Sequence, residues 1–102
     1  MPQATIHLMP AELRRRYAFL RDEQAADIAD FYRRGYFNRQ AVVACEITGE
    51  DAAEEMFDLT NNPSRQEERE ERYGFHRSVS TGDVVEVDGA AWLCLSVGWK
   101  QL

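Results

Sequence analysis

The chain has 102 residues, 44% of them hydrophobic, and a formal net charge of −6 at neutral pH. This length and composition fit one domain with a packed core, spanning residues 1–102, and leave no room for a second domain. The sequence contains no stretch of roughly 18 apolar residues and no secretion-signal pattern. We therefore expect no membrane span and a cytoplasmic location.

The charge is unevenly distributed. Residues 1–40 carry seven arginines against five acids, whereas residues 41–102 carry five basic groups against thirteen acids. Acidic proteins are poor non-specific ligands for nucleic acid, because backbone phosphates favour clustered cations. Nucleic-acid binding is therefore not favoured, and it would need a local basic face. The candidates for that face are Arg14, Arg15 and Arg16.

The N-terminal part is predicted to form a strand followed by helix. Thr5–Leu8 is β-prone, and Pro10 just after it suggests an edge strand. Apolar residues recur at helical spacing over 11–34, and Gly35 marks the end of the helical pattern. One straight helix of this length would run about 36 Å, which is long for so small a domain. We expect two helices or one bent helix.

The middle of the chain is predicted to form a second strand and a helix. Ala41–Ile47 is β-prone, with Val43 and Ile47 on one face. Thr48 has the hydroxyl of a helix N-cap, and the pattern over 50–60 places apolar residues on one side and acids on the other. An Asn-Asn-Pro sequence ends this helix, since asparagine accepts the left-handed conformation and proline cannot continue a helix.

Residues 64–72 are almost entirely charged. A segment without an apolar stripe has no face to bury, so the sequence predicts a solvent-exposed short helix or a mobile loop that does not pack. The alternative is a docking surface for a basic partner.

The C-terminal segment predicts a β-hairpin. Val84–Val87 and Ala90–Val97 are apolar runs separated by Asp88-Gly89, which favours a two-residue type I′ turn. This turn pairs Val85 with Trp92, and both faces of the hairpin are then largely apolar. The elements together predict an α+β fold, in which a small antiparallel sheet of three to five strands with a C-terminal hairpin packs against two to four helices. A monomer and a homodimer both fit these faces.

The densest group of chemically active side chains precedes the hairpin. It spans residues 76–83 and supplies an imidazole, a guanidinium, hydroxyls and a carboxylate. No nucleophile elbow, phosphate-binding glycine loop or dinucleotide fingerprint accompanies it, so we expect no enzymatic activity. The group is either an interaction site or only the turn that begins the hairpin. The candidate interaction residues are His76, Arg77, Ser78, Ser80, Asp83 and Trp99.

Metal and cofactor sites are not expected. His7, His76, Cys45 and Cys94 are too dispersed to resemble a zinc signature. Each cysteine lies in an apolar run, which predicts a reduced and buried thiol. The sequence therefore predicts no metal and no cofactor.

The residues that lead into and out of the hairpin resemble a known pattern. Arg77–Val85, continued by Asp88-Gly89 and Val97–Trp99, is similar to the C-terminal segment of YodL-like domains, small proteins of unknown function carried by phages, plasmids and integrative elements. The resemblance covers roughly residues 50–102 and implies an accessory role in a mobile element, without any established activity. The positions that belong to the pattern are Arg77, Ser78, Ser80, Gly82, Asp83, Gly98 and Trp99.

Four functions are compatible with the sequence. The first is a non-catalytic module that binds an unidentified protein through residues 50–60 and 64–72. The second is a nucleic-acid-associated regulator that uses the arginines of 11–34. The third is an acidic inhibitor or DNA mimic of a host nuclease, against which the modest net charge argues. The fourth is a small hydrolase, supported only by residues 76–83.

Overall fold

A computed structural model describes residues 3–17 and 22–102 and shows an α+β fold, as the sequence predicts. Five antiparallel strands form one sheet in the order β2-β1-β3-β4-β5, accompanied by four helices in the described residues. The strands are β1 Gln3–Leu8, β2 Asn38–Ala44, β3 Val84–Val87, β4 Ala90–Cys94 and β5 Trp99–Gln101. The helices are α1 Ala11–Arg16, α2 Ala25–Arg33, α3 Gly49–Asn61 and α4 Gln66–Arg72, with 3₁₀ turns at Asp22–Gln24 and Pro63–Arg65. No helix among these is long and apolar enough to cross a membrane.

Strand β1 lies inside the sheet, so its prediction as an edge strand is wrong. It pairs with β2 on one side, where Thr5 lies opposite Val42, and with β3 on the other, where Ile6 lies opposite Val85. Pro10 does not prevent this pairing, because the strand ends at Leu8 and every residue within it keeps its N–H donor.

Helices cover both faces of the sheet. One face packs against α3, whose Met56 and Leu59 lie in a cluster with Ile6 of β1. The opposite face packs against α2, where Ile28 lies in a cluster with Leu93 of β4. Both apolar faces of the C-terminal hairpin are therefore at least partly covered, as its sequence predicts.

The hairpin has the predicted register and continues into a third strand. Val85 lies opposite Trp92. Asp88 and Gly89 adopt φ values of 51° and 80°, as a type I′ turn requires. Strand β4 then ends at Cys94, and a second turn closes where the Leu95 N–H donates to the Gly98 carbonyl at 3.0 Å. The C-terminus is therefore a three-stranded meander.

The 11–34 segment contains two helices among its described residues. Helix α1 ends at Arg16, and α2 ends at Arg33, where Gly35 adopts φ 82° and the Tyr36 N–H donates to the Phe31 carbonyl. This is the predicted glycine stop. Residues 18–21, which belong to the predicted apolar stripe, lie outside the described residues.

Two details around α3 differ from the predictions. Strand β2 ends at Ala44, so Ile47 lies beyond the strand and is 45% exposed instead of sharing a buried face with Val43. Asn62 has an extended conformation, with φ −79° and ψ 114°, instead of a left-handed one. The cause is Pro63, because the residue before a proline is sterically driven to extended geometry. Thr48 is the N-cap residue, but its side chain makes no capping hydrogen bond.

Residues 66–72 form the short exposed helix that the sequence predicts, but this helix, α4, packs against α3 through charge, so the prediction that the segment does not pack is wrong. No residue of α4 is buried. Arg65, just before the helix, donates to Glu55 at 2.8 Å, to Asp58 at 2.7 Å and to Glu68 at 2.8 Å. These contacts join the start of α4 to the outer side of α3.

Two further arginines of α4 bind backbone carbonyls. Arg69 donates to the carbonyls of Thr60 at 2.9 Å and His76 at 2.7 Å, and Arg72 donates to that of Ala44 at 2.6 Å. A hydrophobic pattern could not predict this packing, because it is made by hydrogen bonds from guanidinium groups to backbone carbonyls at the ends of β2 and α3 and in the loop after α4.

The charged contacts of α4 predict a pH dependence of stability. Hydrogen bonds from Arg65 and Arg72 lower the pKa of Glu68 from its ordinary 4.5 to about 2. A lowered folded-state pKa stabilises the protein above the unfolded pKa, and this stability is lost as pH falls from 4.5 towards 2. We expect Glu68→Gln to lower the melting temperature at neutral pH, and the difference from wild type to shrink in that acidic window. Thermal unfolding followed by circular dichroism would measure it.

The matched control is Glu67→Gln. It removes a neighbouring carboxylate that has no ion-pair partner among the described residues. An equal pH-dependent difference in both variants would contradict a specific role of the Glu68 contacts.

Candidate functional site

A buried ion pair lies at the entrance to the hairpin. The side chain of Asp83, immediately before β3, is only 1% exposed. Arg77 binds it with two parallel contacts, from Nη1 to Oδ2 at 2.8 Å and from Nη2 to Oδ1 at 2.9 Å. This bidentate geometry is the strongest arrangement of a guanidinium and a carboxylate. Arg77 thus clamps a carboxylate of its own chain.

Backbone donors complete the environment of Asp83. Its Oδ1 accepts the N–H of Met9 at 2.8 Å, and its Oδ2 accepts the N–H of Ser80 at 2.8 Å. Arg77 also donates to the hydroxyl of Ser80 at 2.9 Å and to the carbonyls of Ser78 and Met9. The pair therefore connects the end of β1 to the start of β3.

Gly82 occupies a backbone conformation in this loop that favours glycine. It adopts φ 96°, and a β-carbon there would lie 2.7 Å from the Cε atom of Met9. The positive φ is the reason for glycine, because the Met9 atom is the end of a flexible side chain that can shift.

Ser78 belongs to a second set of contacts, at the C-terminal end of α3. Its hydroxyl donates to the Thr60 carbonyl at 2.6 Å, and the Thr60 hydroxyl accepts the N–H of Val79 at 3.1 Å. The amide of Asn61 donates to the Val79 carbonyl at 2.8 Å. Thr60 and Asn61 were not predicted as site residues, because nothing in their helical positions indicates a contact with residues 18 or 19 positions away.

The remaining two candidates make other contacts. The Nδ1 atom of His76 lies 2.8 Å from the side-chain amide nitrogen of Gln40, a residue of β2. The indole N–H of Trp99 donates to Glu54 of α3 at 2.8 Å, and its ring packs edge-on against Phe57. The structure thus joins Arg77, Ser80 and Asp83 directly. Ser78 contacts the end of α3 instead, His76 contacts β2, and Trp99 contacts α3 at Glu54.

These contacts determine what the cluster offers chemically. In the part of the chain that the structure describes, no hydrogen bond joins His76 to a hydroxyl, and no group of three or more acidic, histidine or cysteine side chains could hold a metal ion. Both oxygens of Asp83 and both terminal nitrogens of Arg77 already have partners. The cluster is therefore organised to hold β1, α3 and β3 together.

The predicted basic face meets this cluster in space. Nη2 of Arg14 lies 3.5 Å from the hydroxyl oxygen of Ser80. Arg14 and Arg15 line a groove of about 530 Å³ whose other lining residues include Ser80 and Thr81. Arg16 is exposed beside them, with its guanidinium over the ring of Tyr17. Nothing in the sequence indicates that the two candidate sites adjoin.

A second polar contact on the sheet was also not predicted. Oε1 of Glu86 in β3 lies 3.1 Å from Nε2 of His7 and accepts the Tyr32 hydroxyl at 3.4 Å. Burial, together with the charge of Glu86, raises the pKa of Tyr32 to about 12. Glu86 is the one charged residue in the apolar strand β3, and this exception in the sequence could have indicated a polar contact there.

The two cysteines are free and buried, as expected. Burial, with smaller contributions from the charges of Asp83 and Glu54, raises the pKa of Cys94 to about 12. This thiol is therefore protonated at neutral pH.

Comparison of the chain with family models, with curated proteins and with solved structures finds no match. The resemblance to YodL-like segments therefore stays a prediction.

The Arg77–Asp83 pair predicts a large loss of stability when one partner is removed. Arg77→Met should lower the free energy of unfolding by about 3–5 kcal/mol, because it leaves a buried charge without its partner. Asp83→Asn should also destabilise strongly. The double variant should lose less than the sum of the two, since neither charge is then stranded. Urea unfolding of all four proteins would measure the coupling.

The appropriate control is Arg15→Met, which removes an exposed arginine with no ion-pair partner among the described residues. It should change stability by about 0.5 kcal/mol or less. Additive effects of the Arg77 and Asp83 substitutions would contradict the proposed coupling.

The raised pKa of Cys94 predicts a slowly reacting thiol. In a Cys45→Ser background, a disulfide reagent at neutral pH should label Cys94 far more slowly in the folded protein than in urea, because the reactive thiolate is scarce and buried. Absorbance of the released thiol would follow the reaction. Equal rates in both conditions would contradict the buried position.

Proposed function

We propose that this protein is a non-catalytic interaction module that binds a basic protein partner through the outward side of α3 and α4. The observation that supports this most directly is a set of exposed carboxylates with no cation within ion-pair distance among the described residues. We call this set the acidic surface. It consists of Glu46, Glu50, Asp51, Glu54, Glu67, Glu70 and Glu71.

The acidic surface exists because the neighbouring arginines point inward. Residues 46–72 contain ten carboxylates and three arginines. Arg65 and Arg72 bind the three carboxylates that lie between α3 and α4, and Arg69 binds backbone carbonyls. The negative charges of the remaining carboxylates have no cation paired with them among the described residues. A cationic partner would therefore meet a negative electrostatic potential at this surface.

Two exposed apolar side chains accompany the acidic surface. Ile47 is 45% exposed and lines a groove of about 470 Å³, whose charged lining residues are Glu46, Glu55 and the internally paired Arg72. Phe75, three residues after α4, is 86% exposed. Protein interfaces combine apolar or aromatic anchors with a charged rim, and this combination supports a partner segment rich in Lys and Arg that also carries an apolar residue.

The biological setting is also part of the proposal. The resemblance of Arg77–Trp99 to YodL-like segments supports an accessory role in a phage, plasmid or integrative element. A small module of this kind would act by occupying a partner's basic surface, which requires no catalytic group.

A peptide-display selection would test the binding chemistry with a defined probe. We expect the purified protein to select peptides enriched in Lys and Arg that include an apolar residue, with binding that weakens as salt is raised. The triple variant Glu50→Gln/Glu67→Gln/Glu71→Gln should bind the selected peptides at least about tenfold more weakly, and Phe75→Ala should also weaken binding.

The control has the same change in charge at other exposed positions: Glu12→Gln/Asp27→Asn/Asp88→Asn. It should leave peptide affinity within about twofold of wild type, since screened charges far from the contact contribute little. Selection of peptides without a basic bias, or equal losses in both triple variants, would overturn the proposal.

A further inference from the structure

Most of the described arginines bind groups of the same chain. Arg34 binds the carboxylate of Asp30 at 3.1 Å, and the arginines at 65, 69, 72 and 77 bind carboxylates or backbone carbonyls. The arginines of α1 differ, because among the side chains that the structure describes (3–17, 23–38 and 40–102) no carboxylate lies within ion-pair distance of Arg14, Arg15 or Arg16.

Two guanidinium groups converge on one hydroxyl beside this helix. Ser80 Oγ lies 3.5 Å from Nη2 of Arg14 and 2.9 Å from Nη1 of Arg77. Asp83 compensates Arg77, but its oxygens already accept from Arg77, Met9 and Ser80, and its side chain is almost fully buried. It cannot also compensate Arg14. The positive charge of Arg14 is therefore available to a ligand.

The groove beside Arg14 has a mixed lining. Its polar side chains are Arg14, Arg15, Ser80 and Thr81, and the Thr81 hydroxyl has no hydrogen-bond partner among the described residues. Its apolar lining comes from Met9, Ala11 and the ring of Tyr17. Its volume of about 530 Å³ is in the range of small-ligand sites.

We infer that this groove binds a small organic phosphate, in which a phosphate monoester is attached to a flat aromatic group. The guanidinium groups of Arg14 and Arg15 would bind two phosphate oxygens, since the planar arrangement of their donors matches phosphate geometry. The Thr81 hydroxyl would donate to a third oxygen. The ring of Tyr17 would pack against the aromatic part. A nucleoside monophosphate has this chemistry. The site is separate from the acidic surface and does not depend on the proposed protein partner.

Nuclear magnetic resonance titration of the ¹⁵N-labelled protein with adenosine 5′-monophosphate would test this inference. We expect saturable shifts of the backbone amides of Arg14, Arg15 and Thr81. Adenosine and inorganic phosphate, each added alone, should bind at least about tenfold more weakly, because each makes only part of the contacts that the nucleotide makes. Inorganic phosphate binding as tightly as the nucleotide would overturn the aromatic part of the inference.

Substitutions would confirm the location. Arg14→Gln/Arg15→Gln should weaken nucleotide binding at least about tenfold, since two charge-assisted contacts are lost. Arg33→Gln/Lys100→Gln has the same change in charge at exposed positions that do not line the groove, and it should bind like wild type. The melting temperatures of both variants would show that each is folded. Equal weakening in both, or no shifts with wild type, would overturn the inference.

A single-stranded oligonucleotide distinguishes a nucleic-acid surface from a small-ligand site. Phosphates along a strand reward every nearby cation, so strand binding would fall with Arg16→Gln as much as with Arg14→Gln and would be strongly salt-dependent. The proposed groove predicts instead that Arg16→Gln weakens nucleotide binding far less than Arg14→Gln does, since Arg16 does not line the groove and contacts it only through the ring of Tyr17. Tighter binding of the strand with equal contributions from these arginines would overturn the small-ligand site.

Discussion

The buried carboxylate of Asp83 is the constraint on which the rest of the structure depends. Removing a charge from water costs several kcal/mol, and only a nearly complete set of donors offsets that cost. Here the donors come from Arg77 and from the backbone of Met9 and Ser80, so the end of β1, the entrance loop and β3 must meet at one point. The same meeting point brings Arg14 to the hydroxyl of Ser80. The contacts of Asp83 therefore determine both how these elements are joined and where the candidate binding groove lies.

Internal pairing also decides the character of the surface. In the C-terminal half the arginines bind carboxylates and carbonyls within the chain, which leaves the outward acids of α3 and α4 without cations. At α1 the reverse holds, because Arg14 and Arg15 have no carboxylate near them in the described residues. A domain with a modest net charge thus presents two surfaces of opposite sign. Net charge alone does not describe what such a protein attracts.

The sequence predicted most of the fold and little of the site. The spacing of apolar residues and the residues typical of turns indicated the fold class, strands β3 and β4, and helix α3. They did not predict how α4 packs, because its packing uses guanidinium groups, or that β1 lies inside the sheet, because this place depends on which strands flank it. Arg77, Ser80 and Asp83 are among the six candidate residues that the sequence indicates. Thr60 and Gln40 are not, because their contacts join distant parts of the chain.

The sequence by itself determined the local features, which depend only on a few neighbouring residues. Asp88-Gly89 adopts positive φ at both positions, and this local preference sets the turn and the register of the hairpin. Tertiary structure alone decided which charges are paired and which remain available. Arg14 reaches Ser80 across 66 positions of sequence, and Met9 reaches Asp83 across 74. Such contacts depend on the path of the whole chain, because no local preference specifies which distant group will lie beside a side chain.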